Sequence, residues 1–325
     1  MILLLMSLFG PADGNYFKER SRVKLALDDN FYSHVIDLWP AKGGGYYLIT
    51  NSSHQRFDTA LFKVSSDGQT LIKFDKQGQG PGELRQAAGI IEFEGKVYVG
   101  ERISPLVHVY DTDLKSIKDI KTSRGGQLAA VTQNHVGIWN THHKADNKCY
   151  MFAMFPKHML YRIHYSVALK IDELPFLIQS WGDVCSLGEG RYAAITANRY
   201  QIHLFSEQEM EAKELFKREP VHIIPYHPYE GDQGRIGTKA NEWMFSFTKF
   251  SKIYHENGTL YVCYNNRKEE FFLDILSVDG TFLKKKIPMG NRNPLSFHDG
   301  AFTSIEKNED GDENIFFVVT EEVIH

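Results

Sequence analysis

The chain lacks most of the features that announce a chemistry. It has three cysteines in 325 residues, Cys149, Cys185 and Cys263. That is too few and too scattered for a disulfide framework, and the odd count leaves at least one thiol unpaired within the chain. No CxxC, HExxH or GxSxG occurs, so the short signatures of zinc sites, metalloproteases and serine hydrolases are missing. Neither sign of charge dominates: 37 basic and 41 acidic side chains leave a net charge of −4. With no positive field, the composition speaks against a nucleic-acid partner or an anionic membrane surface. The apolar run over residues 1–9 (MILLLMSLF) is well short of the roughly 20 residues that a transmembrane helix needs. It reads either as the core of an export signal without its basic flank, or as a buried strand ended by the Gly-Pro-Ala-Asp-Gly that follows.

Aromatics, by contrast, are plentiful at 13%, with 22 Phe and 16 Tyr. Aromatic and β-branched side chains suit pleated, half-buried surfaces, which points to β structure. The sequence repeats one form: a short apolar strand, a tight turn carrying Gly, Asn or Asp, and a strand rich in Tyr, Phe, Val and Ile. It occurs over residues 35–49, 89–99, 128–139, 183–196, 252–264 and 302–319. These are hairpin signals. Anchors at Leu48, Tyr98, Ile138, Ala194, Tyr261 and Phe317 recur on average about every 54 residues, the size of a four-stranded propeller blade with generous loops. A second hairpin follows most of the first ones, most clearly around Ser65-Ser66-Asp67-Gly68 and Asp279-Gly280. The sixth unit lacks its second hairpin. Residues 22–27 (RVKLAL) alternate as a strand does and can supply the missing edge, because a ring with no free edge is the stable closure. The pattern predicts an all-β fold, a six-bladed β-propeller of four-stranded antiparallel blades closed by N-terminal strand(s). Residues 1–20 are a signal remnant or closing strand and 21–325 the propeller.

One segment is more specific. Gly78-Gln79-Gly80-Pro81-Gly82-Glu83-Leu84 joins two units and is followed by Gly95-Lys96-Val97-Tyr98-Val99, Arg102 and Val107-His108-Val109-Tyr110-Asp111. This resembles the bacterial six-bladed propellers related to NHL-repeat and TolB-like proteins. The likeness covers roughly residues 74–111. It implies the fold and a periplasmic or cell-envelope location, with the cytoplasm as the alternative, and no particular activity.

The glycines of this segment do not make a phosphate loop, since neither GxxxxGK[ST] nor GxGxxG is present and a strand follows. They read as a tight inter-blade turn. Asp310-Gly311-Asp312-Glu313 reads as a solvated turn, because Ile315 occupies the position at which a calcium loop needs Gly. His142 and His143 point to opposite sides of an extended chain and do not share an ion. No catalytic set, metal site or cofactor site is assigned.

Alternation of strands sends consecutive loops to opposite ends of a blade. The tight turns gather on one face, and the longer polar loops with the inter-blade connections on the other. Function favours such loops on a rigid scaffold. The candidate binding residues on that face are Arg102, Asn140, His143, Arg199, Tyr226, His227 and Arg267. The reading is a non-enzymatic binding or scaffold propeller for a protein, peptide or glycan partner. The alternative is a metal-dependent lactonase- or lyase-like enzyme, its metal held by carboxylates, Asn or His of inner strands near the axis; Asp183, His298 and Asp299 lie near inner-strand starts but do not close a ligand set.

Overall fold

The computed structural model of the chain describes residues 16–27, 32–52, 59–78, 80–122, 125–139, 144–145, 148–157, 165–169, 182–196, 199–206, 213–217, 249–265, 270–290, 293–307 and 316–324. Twenty-five strands form six antiparallel sheets, and there is no helix among the described residues, hence none long and apolar enough to cross a membrane. The first strand, β1 (Phe17–Lys24), crosses to the end of the chain and completes the sixth sheet. Blade 1 runs β2 (Tyr32–Pro40), β3 (Tyr46–Ser52), β4 (Thr59–Val64), β5 (Thr70–Phe74). Blade 2 runs β6 (Ala87–Phe93), β7 (Lys96–Glu101), β8 (Leu106–Asp111), β9 (Ser116–Lys121). Blade 3 has β10 (Gln127–Val131), β11 (His135–Trp139), β13 (Lys148–Pro156) and β14 (Tyr165–Leu169), with the two-residue β12 (Lys144–Ala145) folded back onto β13. Blade 4 runs β15 (Gly182–Gly188), β16 (Arg191–Thr196), β17 (Arg199–Ser206), β18 (Lys213–Lys217). Blade 5 runs β19 (Lys249–Glu256), β20 (Thr259–Asn265), β21 (Phe271–Ser277), β22 (Phe282–Gly290). Blade 6 runs β23 (Pro294–His298), β24 (Ala301–Lys307), β25 (Phe316–Val323), then β1. The first strands touch in a closed cycle, β2 to β6 to β10 to β15 to β19 to β23 and back to β2. That cycle is the ring of a six-bladed propeller.

The core lies between the blades. Successive side chains of a strand point to opposite faces, and both faces of a blade are covered by its neighbours. Along β3, Tyr47 and Ile49 pack towards blade 2 while Leu48 packs towards blade 6. Along β20, Tyr261 and Cys263 pack towards blade 6 while Val262 packs towards blade 4. Second strands are therefore continuous apolar runs, which is what made them visible as repeats. Outermost strands face solvent on one side and carry charge instead. β9 reads SIKDIK, and β22 carries Lys284, Lys285 and Lys286, which discourage edge pairing.

Four of the first turns share one geometry. Glu94-Gly95, Glu189-Gly190, Asn257-Gly258 and Asp299-Gly300 all have φ near +50° at the first residue and near +70° at the glycine. Two positive φ values in a two-residue loop are the type I′ turn, whose twist matches the strands it joins.

Closure differs in detail from the sequence pattern. The first strand of blade 6 is β23, turned at Asp299-Gly300 into β24, so Phe317 lies on a third strand and not a second. Blade 6 thus needs one strand from the N-terminus, not a hairpin, and β1 provides it: Arg22 pairs with Val319 and Lys24 with Phe317. Strand β23 was hidden because it opens on Pro294, a residue allowed at a strand start but usually a sign of a loop. The segment Asp310–Glu313 falls between β24 and β25, outside the described residues.

Candidate functional site

A concavity lies on the loop-bearing face of blade 2. There the connection from β5 to β6 meets the loop from β7 to β8. The Gly78–Leu84 connection is pinned at both ends: Gly78 N–H donates to Leu84 O at 2.9 Å and Leu84 N–H to Lys76 O at 2.9 Å. Glu83 Oε2 accepts from Gly80 N–H at 2.8 Å, and a Cβ at Gly80 would run into that carboxylate. Gly82 sits at φ +70°, where a Cβ would lie 2.4 Å from Ser116 Oγ. The glycines are there for the turn, as the sequence suggested.

Beneath the connection lies a buried polar network. Glu101 ends β7 with 1% exposure, and its two carboxylate oxygens accept the amides of Arg85 at 3.0 Å and Gln86 at 2.9 Å. His108 and Asp119 face each other across β8 and β9, so His108 Nδ1–H donates to Asp119 Oδ1 at 2.7 Å. Asp119 Oδ2 accepts from Gly82 N–H at 3.4 Å. Tyr110, two residues beyond His108 on the same face of β8, donates its hydroxyl to Gly82 O at 2.8 Å. Burial and the charges of Asp119 and Glu101 push the Tyr110 phenol far above its ordinary value, so it stays a donor. His108 Nε2 is buried without a hydrogen-bond partner, 3.7 Å from Glu101 Oε1.

Above this network opens a pocket of about 440 Å³. The buried His108 and Thr122 line it from below, Glu83, Arg85 and Lys121 line its sides, and Ile103 and Pro105 make an apolar lip. Ile103 is 49% exposed. Among the described residues neither the Arg85 guanidinium nor the Lys121 ammonium has an ion pair or hydrogen bond. Glu101 and Asp119 are turned inward to hold backbone and His108, Glu83 lines the pocket with one oxygen on Gly80 N–H, and the two cations are exposed.

A second charged group lines the axis. Asp183 on β15 accepts from Ile253 N–H at 3.2 Å, and Asp37 on β2 accepts from Ile90 N–H at 2.9 Å. Each acceptor meets an amide beside a register shift in the neighbouring first strand. Lys252 on β19 lies within the field of both. Burial pushes both carboxyls up, only partly offset by Lys252. Burial works against the Lys252 charge too, but Asp183 and Asp37 together outweigh it and hold the ammonium above its ordinary value. Among the described residues Asp37, Asp183 and Lys252 do not form a metal ligand set. Asp183 also stands apart from His298 and Asp299, which instead gather with Glu256 on the opposite, tight-turn face. Glu256 Oε2 there accepts from Gly300 N–H at 2.7 Å. The axial ligand set that the lactonase- or lyase-like alternative requires is therefore not assembled from these residues.

Of the sequence-predicted site residues, Arg102 is exposed on the β7–β8 loop beside the pocket lip, its amide donating to Gln86 O at 2.8 Å. Arg199 opens β17 on the same face, and its side chain lies outside the described residues. Asn140, His143, Tyr226, His227 and Arg267 lie outside the described residues. Arg85, His108 and Lys121 were missed. A single histidine inside an apolar third strand (LVHVYD) was the available signal.

No family model matches the chain, and no curated protein matches it in sequence. Solved structures do. A member of the DUF4221 family from Bacteroides vulgatus superimposes with a TM-score of 0.66 at 12% identity, over 95% of this chain and 99% of that one. A protein from Bacteroides fragilis taken to be exported gives a TM-score of 0.57 at 12% identity, over 94% of this chain and 96% of its own. At such identity the likeness establishes the fold alone.

Proposed function

We propose that the chain is a non-enzymatic binding or scaffold propeller that engages a protein, peptide or glycan partner through the loop-bearing face. The observation that carries this is the blade-2 pocket: a concavity on that face, walled by two loops whose backbones are fixed from below. Rigid walls lower the ordering cost of binding. A lysine between the axial carboxylates is a poor start for a metal centre, so the lactonase- or lyase-like reading receives no support from those side chains. The GxGPGEL connection supports a distant kinship with the NHL-repeat and TolB-like propellers, since its glycines and Glu83 make the inter-blade turn. The neighbour from Bacteroides fragilis that is taken to be exported, together with the apolar residues 1–9, favours a periplasmic or envelope location. Fractionation of a tagged chain checks the location, and recovery in the cytosol alone would refute it. The face is checked by partner binding in Arg102→Ala and Ile103→Asp beside Glu94→Ala and Asp279→Ala on the tight-turn face. Weakening by the first pair only is expected. Weakening by the second pair only would place the partner on the wrong side for this reading.

A further inference from the structure

We infer that the blade-2 pocket receives a peptide carboxylate flanked by an apolar side chain. The inference rests on the loop-bearing face being the binding face and names what one part of that face recognises.

Three observations lead to it. The first is the distribution of charge. Five ionised groups lie in or under the pocket wall: Glu83, Glu101, Asp119, Arg85 and Lys121. Each acid among them already accepts at least one hydrogen bond. Glu101 takes two amides, Asp119 takes His108 and Gly82, and Glu83 takes Gly80. Both bases are uncommitted among the described residues and line the opening. Glu83 also lines the pocket, and the charges of Glu101 and Asp119 below oppose an incoming anion, so a carboxylate at the mouth is held by direct bonds to Arg85 and Lys121. A guanidinium fork beside an ammonium suits a carboxylate, which can take two parallel bonds from the fork and a third from the ammonium.

The second observation is the lip. Ile103 and Pro105 stand exposed on a loop held rigidly by Arg102 N–H to Gln86 O at 2.8 Å, Leu106 N–H to Ser104 O at 2.8 Å and Thr122 N–H to Pro105 O at 2.9 Å. An exposed isoleucine on a fixed loop beside two free cations calls for a ligand that is apolar next to its charge. A bare inorganic anion would leave it uncovered.

The third is size. About 440 Å³ falls at the small end of ligand pockets, which run from about 300 to 1,000 Å³. It holds one or two residues of a peptide, not a folded surface or an oligosaccharide.

Two sources of that carboxylate share the chemistry: the α-carboxylate of a chain end and the side chain of Glu or Asp. The experiment separates them. The probes are N-acetyl-Leu-Leu as the free acid, its C-terminal amide, and N-acetyl-Leu-Glu amide, titrated against the whole chain by ligand-observed NMR and calorimetry. A carboxylate-bearing probe should bind at least about tenfold more tightly than the uncharged amide, since each charge-assisted bond lost is worth a factor of that order. Preference for the free acid assigns a chain terminus, and preference for the Glu amide assigns a side chain; either supports the inference. Arg85→Ala and Lys121→Ala should each weaken the charged probe about five- to tenfold and leave the uncharged amide unchanged. Ile103→Ser should weaken all three probes alike. Inorganic phosphate that competes as well as the best peptide would overturn the inference in favour of a plain anion site. Equal binding of acid and amide, or no binding of any probe to a chain whose melting curve is normal, would also overturn it. These failures leave the loop-face reading standing, because that reading is decided separately by the Arg102, Ile103, Glu94 and Asp279 variants.

Discussion

At the axis, Lys252 lies in the field of Asp183 and Asp37, and the two acids raise the pKa of the lysine that partly neutralises them. At the mouth of the blade-2 pocket, Arg85 and Lys121 stand above Glu101 and Asp119, yet neither base meets an acid. The residue types are the same in both places. What differs is where each carboxylate finds its hydrogen bonds. At the axis the carboxylates take amides of first strands, Asp183 from Ile253 and Asp37 from Ile90 across to the neighbouring blade, and Lys252 supplies the opposite charge. Under the pocket the loop backbone and His108 supply donors to both oxygens of each acid, and the cations are released towards solvent. One arrangement ties first strands together around the ring, and the other fixes a loop and leaves charge for a ligand.

Removing one charge from each region should separate them sharply. Lys252→Met is expected to cost about 3 kcal/mol, because it leaves the buried Asp183 and the half-buried Asp37 without their cation. The effect has a pH signature. A carboxyl whose folded pKa lies above its unfolded value of 3.8 contributes stability that is complete below that value and is lost as pH rises through the folded pKa. Loss of Lys252 raises both carboxyls further. The stability gap between variant and parent should therefore be widest at neutral pH and narrow on acidification. Denaturant unfolding at a neutral and a mildly acidic pH measures it, and a gap independent of pH would show that the axial charges do not act as described.

Glu101→Ala should come next, at about 2 kcal/mol, since the Arg85 and Gln86 amides lose their acceptor in a partly buried setting. Glu101→Gln should fall between the parent and Glu101→Ala, because its amide oxygen replaces one acceptor and its NH₂ opposes the other amide. If the pocket network were only an ion pair with His108, the Gln and Ala variants would be equal in a thermal melt. Tyr110→Phe should cost about 1 kcal/mol through the lost bond to Gly82 O. Amide exchange should quicken in the Gly80–Glu83 turn, and unchanged exchange there would remove Tyr110 from the support of the loop. Arg85→Ala should change stability by less than about 0.5 kcal/mol, as expected for an exposed cation with no partner. A larger loss would mean that Arg85 supports the fold and is not free for a ligand.

Much of this architecture was legible in the sequence, for reasons visible in particular strands. β3, β7, β11, β16 and β20 carry the anchors Leu48, Tyr98, Ile138, Ala194 and Tyr261, and they stood out because both faces of a second strand are buried. The turns stood out because a type I′ geometry demands positive φ, which selects Gly after Glu, Asn or Asp. β23 did not stand out, because Pro294 disguised its start. The candidate site was legible only in outline. Which face carries the loops follows from counting strands, and that much was available. Arg102 was placed on that face correctly by this count, one residue from the lip of the pocket.

The sequence by itself determined the repeat, the blade size, the turn geometry and the use of an N-terminal strand for closure, because these depend on local periodicity and on φ preferences that a single segment expresses. It also settled what the glycines of residues 78–82 are for, since their spacing fits no phosphate loop. Only the tertiary structure decided that Glu101, His108 and Asp119 form one network, that this network absorbs the acids of blade 2, and that Arg85 and Lys121 are thereby left over. Those residues come from one inter-blade connection and three strands. Whether a charge is spent or free depends on partners that periodicity does not register, because hydrogen bonds are made at distances of 3 Å in space between positions that lie tens of residues apart along the chain.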